Sequence, residues 1–137
     1  MHVHTSAYLK KCESLAREAS LFAPRVGSVV ARGFADLGCE EFLVLPNEGL
    51  LSLYSGQVNK SMALGDPQLF VVPDIQQMQE ALRELQFDLE TLNFVDQRFW
   101  ELRLKPAHGN ELVTCQHERL EEVFLDALIV VTSAKED

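Results

Sequence analysis

The sequence lacks every motif that would identify a catalytic or cofactor site. It has no glycine-rich loop beside a strand, no group of ligands at metal-binding spacing and no nucleophile signature. The missing glycine-rich loop weighs against a nucleotide ligand. We therefore predict no catalytic residue, no metal and no cofactor. A protein without enzymatic activity is favoured, although catalytic residues that converge from distant positions would leave no motif.

Cysteines and long apolar segments are also scarce. The three cysteines, Cys12, Cys39 and Cys115, are an odd number at no disulfide-framework spacing, which predicts free thiols in a reducing compartment. The first four residues lack the basic and apolar regions of a signal peptide. The longest apolar run, residues 125–132, is too short to cross a bilayer. These features predict a cytoplasmic protein that does not contact a membrane.

Positive charge is in short supply. The chain has 12 Lys and Arg against 21 Asp and Glu, a net charge of −9. Nucleic acids and anionic membranes are bound by basic residues, so this balance argues against both as partners. The acidic residues concentrate in residues 80–90 and 118–126. A basic protein or a cation is the partner that such a surface favours.

What the chain does have is enough apolar sequence for one compact domain over residues 1–137. Apolar residues make up 47% and charged residues 24%, as in ordinary soluble proteins. Their spacing predicts an α+β fold in the order ααββ(β)βαββα, with a mainly antiparallel sheet of about five strands and helices packed on one face. The predicted helices cover residues 6–22, 26–37, 74–92 and 120–131. The predicted strands cover residues 42–45, 50–54, 69–72, 98–105 and 110–116, with a less regular candidate at 57–62.

The helix predicted over residues 74–92 has the most regular pattern. Asp74 and Gln77 have the spacing of an N-terminal capping box. Apolar residues then follow at alternating steps of three and four, which is the spacing of a narrow coiled-coil seam. These residues are Ile75, Met78, Leu82, Leu85, Leu89 and Leu92.

A surplus of apolar residues on two predicted helices suggests an interface. On the last helix, Leu125 and Ile129 lie one turn apart but away from the centre of the core-facing stripe. The seam of the preceding helix adds Leu82, Leu85 and Leu89. Because a small domain rarely needs both apolar surfaces for its core, we predict that these five residues form a surface for a protein partner or a second copy of the chain. The alternative is that the N-terminal helices cover them.

Three groups of residues could suggest chemistry. Cys115 and His117 lie two apart on a predicted strand and share a face, so a thiolate beside an imidazole is conceivable, but no orienting third group is evident. His2 and His4 lack a third metal ligand. Glu118, Glu121 and Glu122 fall in the first turn of a helix, where negative charge is favoured by the helix dipole. We therefore assign none of them a catalytic or metal-binding role.

From residue 41 onward, the order of elements resembles that of the small acidic secretion chaperones of type III export systems. The resemblance covers size, acidity and the order of hairpin, strand, helix, two strands and helix. It implies a cytoplasmic dimer that holds an extended segment of another protein. Small acidic immunity proteins, which block a basic toxin, are similar in composition. We therefore predict a protein-binding module that forms a homodimer, of a chaperone-like or immunity-like kind.

The alternative function is a small-molecule-binding α+β domain. It would use a pocket between the sheet and the helices, with polar groups such as Tyr54, Cys115 and His117 converging on the ligand. The two classes predict different surfaces: a broad, shallow apolar one for the binding module, and an enclosed pocket for the ligand-binding domain.

Overall fold

In the computed structural model, the described residues are 4–19, 21–34, 38–46, 49–60 and 68–135. They form three helices and eight strands in two antiparallel sheets, which confirms the α+β class and the mainly antiparallel pairing. The chain divides into two compact units, Met1–Pro73 and Asp74–Asp137, called the first and the second unit below. That the chain folds as a single domain stays a prediction.

The first unit contains one helix and a five-stranded sheet in the spatial order β4-β3-β2-β1-β5. Its elements are α1 (Ser6–Ala19), β1 (Val29–Phe34), β2 (Gly38–Val44), β3 (Leu50–Ser52), β4 (Val58–Asn59) and β5 (Leu69–Val72). The helix buries one stripe, which consists of Tyr8, Leu9, Cys12 and Leu15. It packs mainly against β5, and the hydroxyl of Tyr8 donates a hydrogen bond to the carbonyl of Pro73 at 3.2 Å. A cluster of buried strand residues forms the sheet's core: Val30, Phe42, Val44, Leu50 and Val71.

The second unit contains two helices and a three-stranded sheet in the order β6-β7-β8. Its elements are α2 (Ile75–Glu84), β6 (Phe87–Val95), β7 (Phe99–Pro106), β8 (Val113–His117) and α3 (Leu120–Lys135). Helix α3 packs against β7, β8 and α2. The core-facing stripe predicted for this helix consists of Leu120, Val123, Phe124, Ala127, Leu128 and Val131, and all of these except the half-buried Leu120 are buried. On β7, the buried Leu102 and Leu104 alternate with the exposed Arg103 and Lys105.

Several predicted elements are confirmed. The first helix begins at Ser6 and ends at Ala19, three residues earlier than expected. The hairpin of residues 42–45 and 50–54 is present as β2 and β3, with Val44 paired to Leu50. The capping box of α2 is also present: the amide of Gln77 donates to a carboxylate oxygen of Asp74 at 2.7 Å, and the amide of Asp74 donates to Oε1 of Gln77 at 2.9 Å.

The helix predicted over residues 26–37 is wrong. Residues 29–34 form strand β1, which pairs with both β2 and β5, and β2 begins at Gly38. The adjacent β-branched residues Val29 and Val30 and the interior Gly33 disfavour a helix. Pairing to two neighbouring strands therefore outweighs the apolar spacing. Residues 35–37 lie outside the described residues, as do residues 61 and 62 of the candidate strand at 57–62.

The helix predicted over residues 74–92 is correct only to Glu84. Leu85 is the C-terminal cap, Gln86 has a left-handed backbone with φ of 68°, and β6 begins at Phe87. Leu89 and Leu92 therefore lie on a strand, and the leucine seam is not continuous. The strand pattern is obscured because the register between β6 and β7 shifts at Glu90. A one-residue bulge moves the apolar residues from odd to even positions while keeping them on one face.

Candidate functional site

Strand β6 lies at an edge of the second unit's sheet. Among the described residues it pairs with β7 on one side, and no strand pairs with its other side, which is called the β6 edge below. After the shift at Glu90, residues 91–95 pair with β7 in regular antiparallel register. A tight turn, in which Asp96 and Gln97 both have φ of 54°, then leads into β7. The β6 edge thus offers five regularly extended residues.

Large apolar side chains are exposed on this strand. Leu89 is 46% exposed and Phe94 is 50% exposed. Phe94 lies opposite Trp100 of β7, and the two rings are 5.0 Å apart between centroids. This contact orients the Phe94 ring while leaving half of it in solvent. Two further apolar side chains of the second unit, Leu112 and Val130, are exposed to a similar degree.

A groove adjoins the strand, between β6, β7 and the two helices of the second unit. Its volume is about 340 Å³. Its apolar lining comes from Leu82, Leu89, Leu104 and Phe124, and its polar lining from Gln79, Arg83 and Asp88. The groove therefore combines an apolar floor with charged groups, next to the β6 edge.

Negative charge concentrates in the second unit. Residues 74–137 contain 14 acidic and six basic residues, a net charge of −8, whereas residues 1–73 contain seven acidic and six basic residues, a net charge of −1. Strand β6 carries Asp88 and Glu90, both exposed, and no basic residue. Helix α2 adds the exposed Glu80 and Glu84 beside a single Arg83. On the neighbouring strand, β7 places Lys105 opposite Asp88, whereas Glu90, at the bulge, is paired with no residue of β7.

The structure separates the five predicted interface residues. Leu82 and Leu125 are buried in the chain at 3% and 0% exposure, whereas Leu85 and Ile129 are partly buried. Of the five, Leu89 is the exposed one. The predicted interface of the five residues remains a prediction, and its most accessible member belongs to β6 and not to a helix seam.

Cys115 and His117 lie on the same face of β8, as their spacing predicts, but both imidazole nitrogens are occupied. Nδ1 of His117 accepts a hydrogen bond from the amide of Arg119 at 3.0 Å, and Nε2 contacts the carboxylate of Glu122. Glu122 is itself buried. The imidazole therefore joins the end of β8 to the first turn of α3. In this arrangement neither nitrogen is free to accept a proton from a thiol.

The surroundings of Cys115 disfavour a thiolate. Burial raises the pKa of the thiol, and the negative charge of Asp126 on α3 raises that pKa further. An activated cysteine nucleophile requires a lowered pKa. The structure thus gives Cys115 the environment of a packed thiol.

His4 contacts a buried carboxylate in the first unit. Its ring contacts Glu41, its amide donates to Oε2 of Glu41 at 3.2 Å, and it stacks on Tyr8 with 5.0 Å between centroids. Glu41 is 5% exposed. Within the part of the chain that the structure describes, no group of three or more His, Cys, Asp or Glu side chains is placed to hold a metal ion. His2 lies outside the described residues.

A second cavity lies within the first unit, between α1 and β5. It has a volume of about 150 Å³ and is lined largely by apolar groups. Cys12, Leu15, Phe22 and Phe70 contribute to its wall. Neither this cavity nor the groove is lined by the residues expected to converge on a ligand, which are Tyr54, Cys115 and His117.

None of the helices among the described residues combines the length and apolar character needed to cross a membrane.

The β6 edge was missed by sequence reasoning, although a signal for it exists. Phe87 and Leu89 alternate with charged residues, and Leu92 and Phe94 alternate with polar ones, but the two pairs are out of phase. Allowing a bulge at Glu90 would have joined them into one strand.

No protein-family model, curated protein or solved structure matches this chain.

Proposed function

We propose that the protein is a non-catalytic protein-binding module whose second unit binds a basic partner protein. The observation that carries the proposal is the combination, on the exposed strand β6, of large apolar side chains with acidic ones. Exposed apolar groups supply burial energy on association, and acidic groups around them select a basic partner and speed its encounter. The arrangement of Cys115 and His117 supports the proposal, since it favours a packed thiol over a nucleophile.

Site-specific photo-crosslinking in the source cells tests this function. A photoreactive residue replaces Phe94, and in a matched control it replaces Tyr54 of the first unit, which is 69% exposed. We expect position 94 to crosslink to a protein with an excess of Lys and Arg, and position 54 not to do so. The same set of proteins at both positions would contradict the proposal. Crosslinks from position 94 to a second copy of the chain alone would replace it with self-association, the homodimer that the sequence suggests.

A second candidate function rests on the groove of about 340 Å³ in the second unit, which falls within the size range of small-molecule sites. Arg83 among its lining residues would favour an anionic group on the ligand. Native mass spectrometry of the protein purified from its source tests this function. A chain carrying an additional bound mass that is lost on replacing Arg83 with Ala would support a ligand site, whereas a bare chain would argue against it.

A further inference from the structure

We infer that residues 91–95 of β6 form the docking site for an extended, basic segment of the partner, which adds to the sheet as a fourth strand. The inference rests on the proposed function and specifies its site and mode. Recognition by strand addition uses main-chain hydrogen bonds for affinity and alternate side chains for specificity. Residues 91–95 meet the geometric requirement, because their register with β7 is regular and no strand among the described residues pairs with their other side.

The rest of β6 explains why the site is confined to these residues. Proteins protect exposed edge strands with bulges and charged side chains, because an unprotected edge pairs indiscriminately with other chains. Here the bulge at Glu90 and the charge of Asp88 occupy the first half of the strand. Residues 91–95 carry no charge. The protection therefore stops where regular pairing becomes possible.

Charge selects a basic segment over a second copy of the chain. Two copies of residues 91–95 paired antiparallel about Asn93 would place Glu90 of each chain opposite Asp96 of the other, and would bring together two units that each carry a net charge of −8. Like charges placed across a pair of strands are destabilising. A segment with Lys or Arg on either side of its apolar residues would instead place positive charge at Glu90 and Asp96, the two ends of residues 91–95, while an apolar residue would cover Phe94.

Selection from a displayed library of short random peptides against the full-length protein tests this site. We expect the enriched peptides to carry a net positive charge and to alternate basic with apolar residues. Hydrogen exchange of the full-length protein should then show that a selected peptide protects amides of residues 91–95. A derivative of the peptide with N-methylated backbone amides keeps the charge but loses strand pairing, and it should give no such protection.

Two charge-reversal variants sharpen the test. Reversing Glu90 and Asp96 to Lys should weaken binding of the selected peptide by about tenfold or more, because like charges then face each other. The matched control reverses Glu118 and Glu121, which are exposed in the same unit but lie off the strand, and should weaken it by about twofold through the general field. Equal losses in the two variants would overturn the proposed site. The circular dichroism of each variant verifies that it is folded.

The outcomes distinguish the docking site from the broader function. Enriched basic peptides that protect a different surface would overturn the β6 site but leave a basic-partner function standing. Failure to enrich any peptide, or enrichment of acidic ones, would overturn both. Protection of residues 91–95 that rises with protein concentration in the absence of peptide would show a second copy on the edge and would overturn the inference.

Discussion

The edge strands of the two sheets differ in length and in exposure. In the first unit, one edge strand, β4, is only two residues long, and the other, β5, has three buried residues out of four. In the second unit, the edge strands are β6 and the five-residue β8, and β6 is nine residues long with five of these residues exposed. Short or covered edges are the usual protection against unwanted pairing. A long edge left exposed in the same chain is the feature that the proposed binding function requires.

Charge separates the two units in the same direction. The first unit is almost neutral at −1, and the second unit holds −8 of the net charge of −9. A high net charge keeps an exposed apolar surface from associating with its own copies. Under the proposed function, the acidic residues of the second unit would repel other copies of the chain and attract the basic partner.

The largest effect on stability is expected from a substitution in the core of the second unit. Leu125→Ala removes a side chain with 0% exposure and should lower the free energy of unfolding by about 2–5 kcal/mol. Ile129→Ala, one turn away and partly buried, should cost about 1 kcal/mol or less. Urea denaturation followed by the fluorescence of Trp100, the single tryptophan, measures both. Equal small losses in the free energy of unfolding for the two variants would show that Leu125 is not a core residue and would favour the interface predicted from the sequence.

The next largest effect is expected from removing the contact between His4 and Glu41 in the first unit. His4→Ala removes the imidazole that contacts the buried carboxylate of Glu41 and should cost about 1–3 kcal/mol, because a buried charge loses a partner. His108→Ala, at an exposed position, is the control and should leave stability within about 0.5 kcal/mol. Far-ultraviolet circular dichroism during denaturation reports the change. A loss no larger than that of the control would show that the contact contributes nothing.

A smaller effect is expected on β6 itself. Oγ1 of Thr91 is buried and has no hydrogen-bond partner among the described residues. Thr91→Val removes this unsatisfied hydroxyl with little change of shape and should stabilise the protein by about 1 kcal/mol. Thr114 is exposed on β8, so Thr114→Val removes no buried unsatisfied hydroxyl and should change the stability little. Destabilisation by Thr91→Val in thermal unfolding would mean that the hydroxyl is satisfied in solution.

A comparable or smaller gain is expected where helix α2 ends. Gln86 has φ of 68°, a left-handed conformation that glycine adopts without a steric penalty. Gln86→Gly should therefore raise stability by about 0.5–1 kcal/mol, whereas Gln79→Gly, inside the same helix, should lower it by about 1 kcal/mol. Chemical denaturation of the two variants gives opposite signs if the helix ends here. A helix that continued toward residue 92 would make both changes destabilising.

The last prediction concerns reactivity. Because burial and Asp126 raise the pKa of the Cys115 thiol, the thiolate fraction at neutral pH is small and alkylation should be slow in the native protein. Reaction should accelerate as pH rises, and Asp126→Asn should accelerate it at fixed pH by lowering that pKa. Peptide mapping by mass spectrometry separates Cys115 from the other cysteines. Native labelling as fast as that of the unfolded chain would contradict the assignment of a packed thiol.

The sequence predicts local features of this fold well. The capping box at Asp74 and Gln77 depends on residues three apart, and the stripe of α3 depends on a continuous period. Each signal lies within a single element, so it does not depend on how that element packs against the rest of the chain. The hairpin of β2 and β3 is similar, since the turn chemistry around Pro46 lies between two apolar runs.

The candidate site could not be predicted in the same way. The spacing of Leu89 and Leu92 fits a helix as well as a bulged strand. Pairing with Leu104 and Leu102 of β7, ten or more residues away in the sequence, decides between them. Exposure is a property of the folded chain. Leu125 and Leu89 are both leucines at predicted interface positions, yet one is fully buried and the other is 46% exposed.

Native-state hydrogen exchange of the isolated full-length protein tests the central claim, that the second unit keeps the β6 edge available. In an antiparallel edge strand, alternate amides point away from the sheet and lack a partner. We expect alternate amides within residues 91–95 to exchange rapidly at all protein concentrations, while those of the central strand β7 remain protected. Protection throughout residues 91–95 equal to that of β7, already at low concentration, would show that the edge is covered and would contradict the account.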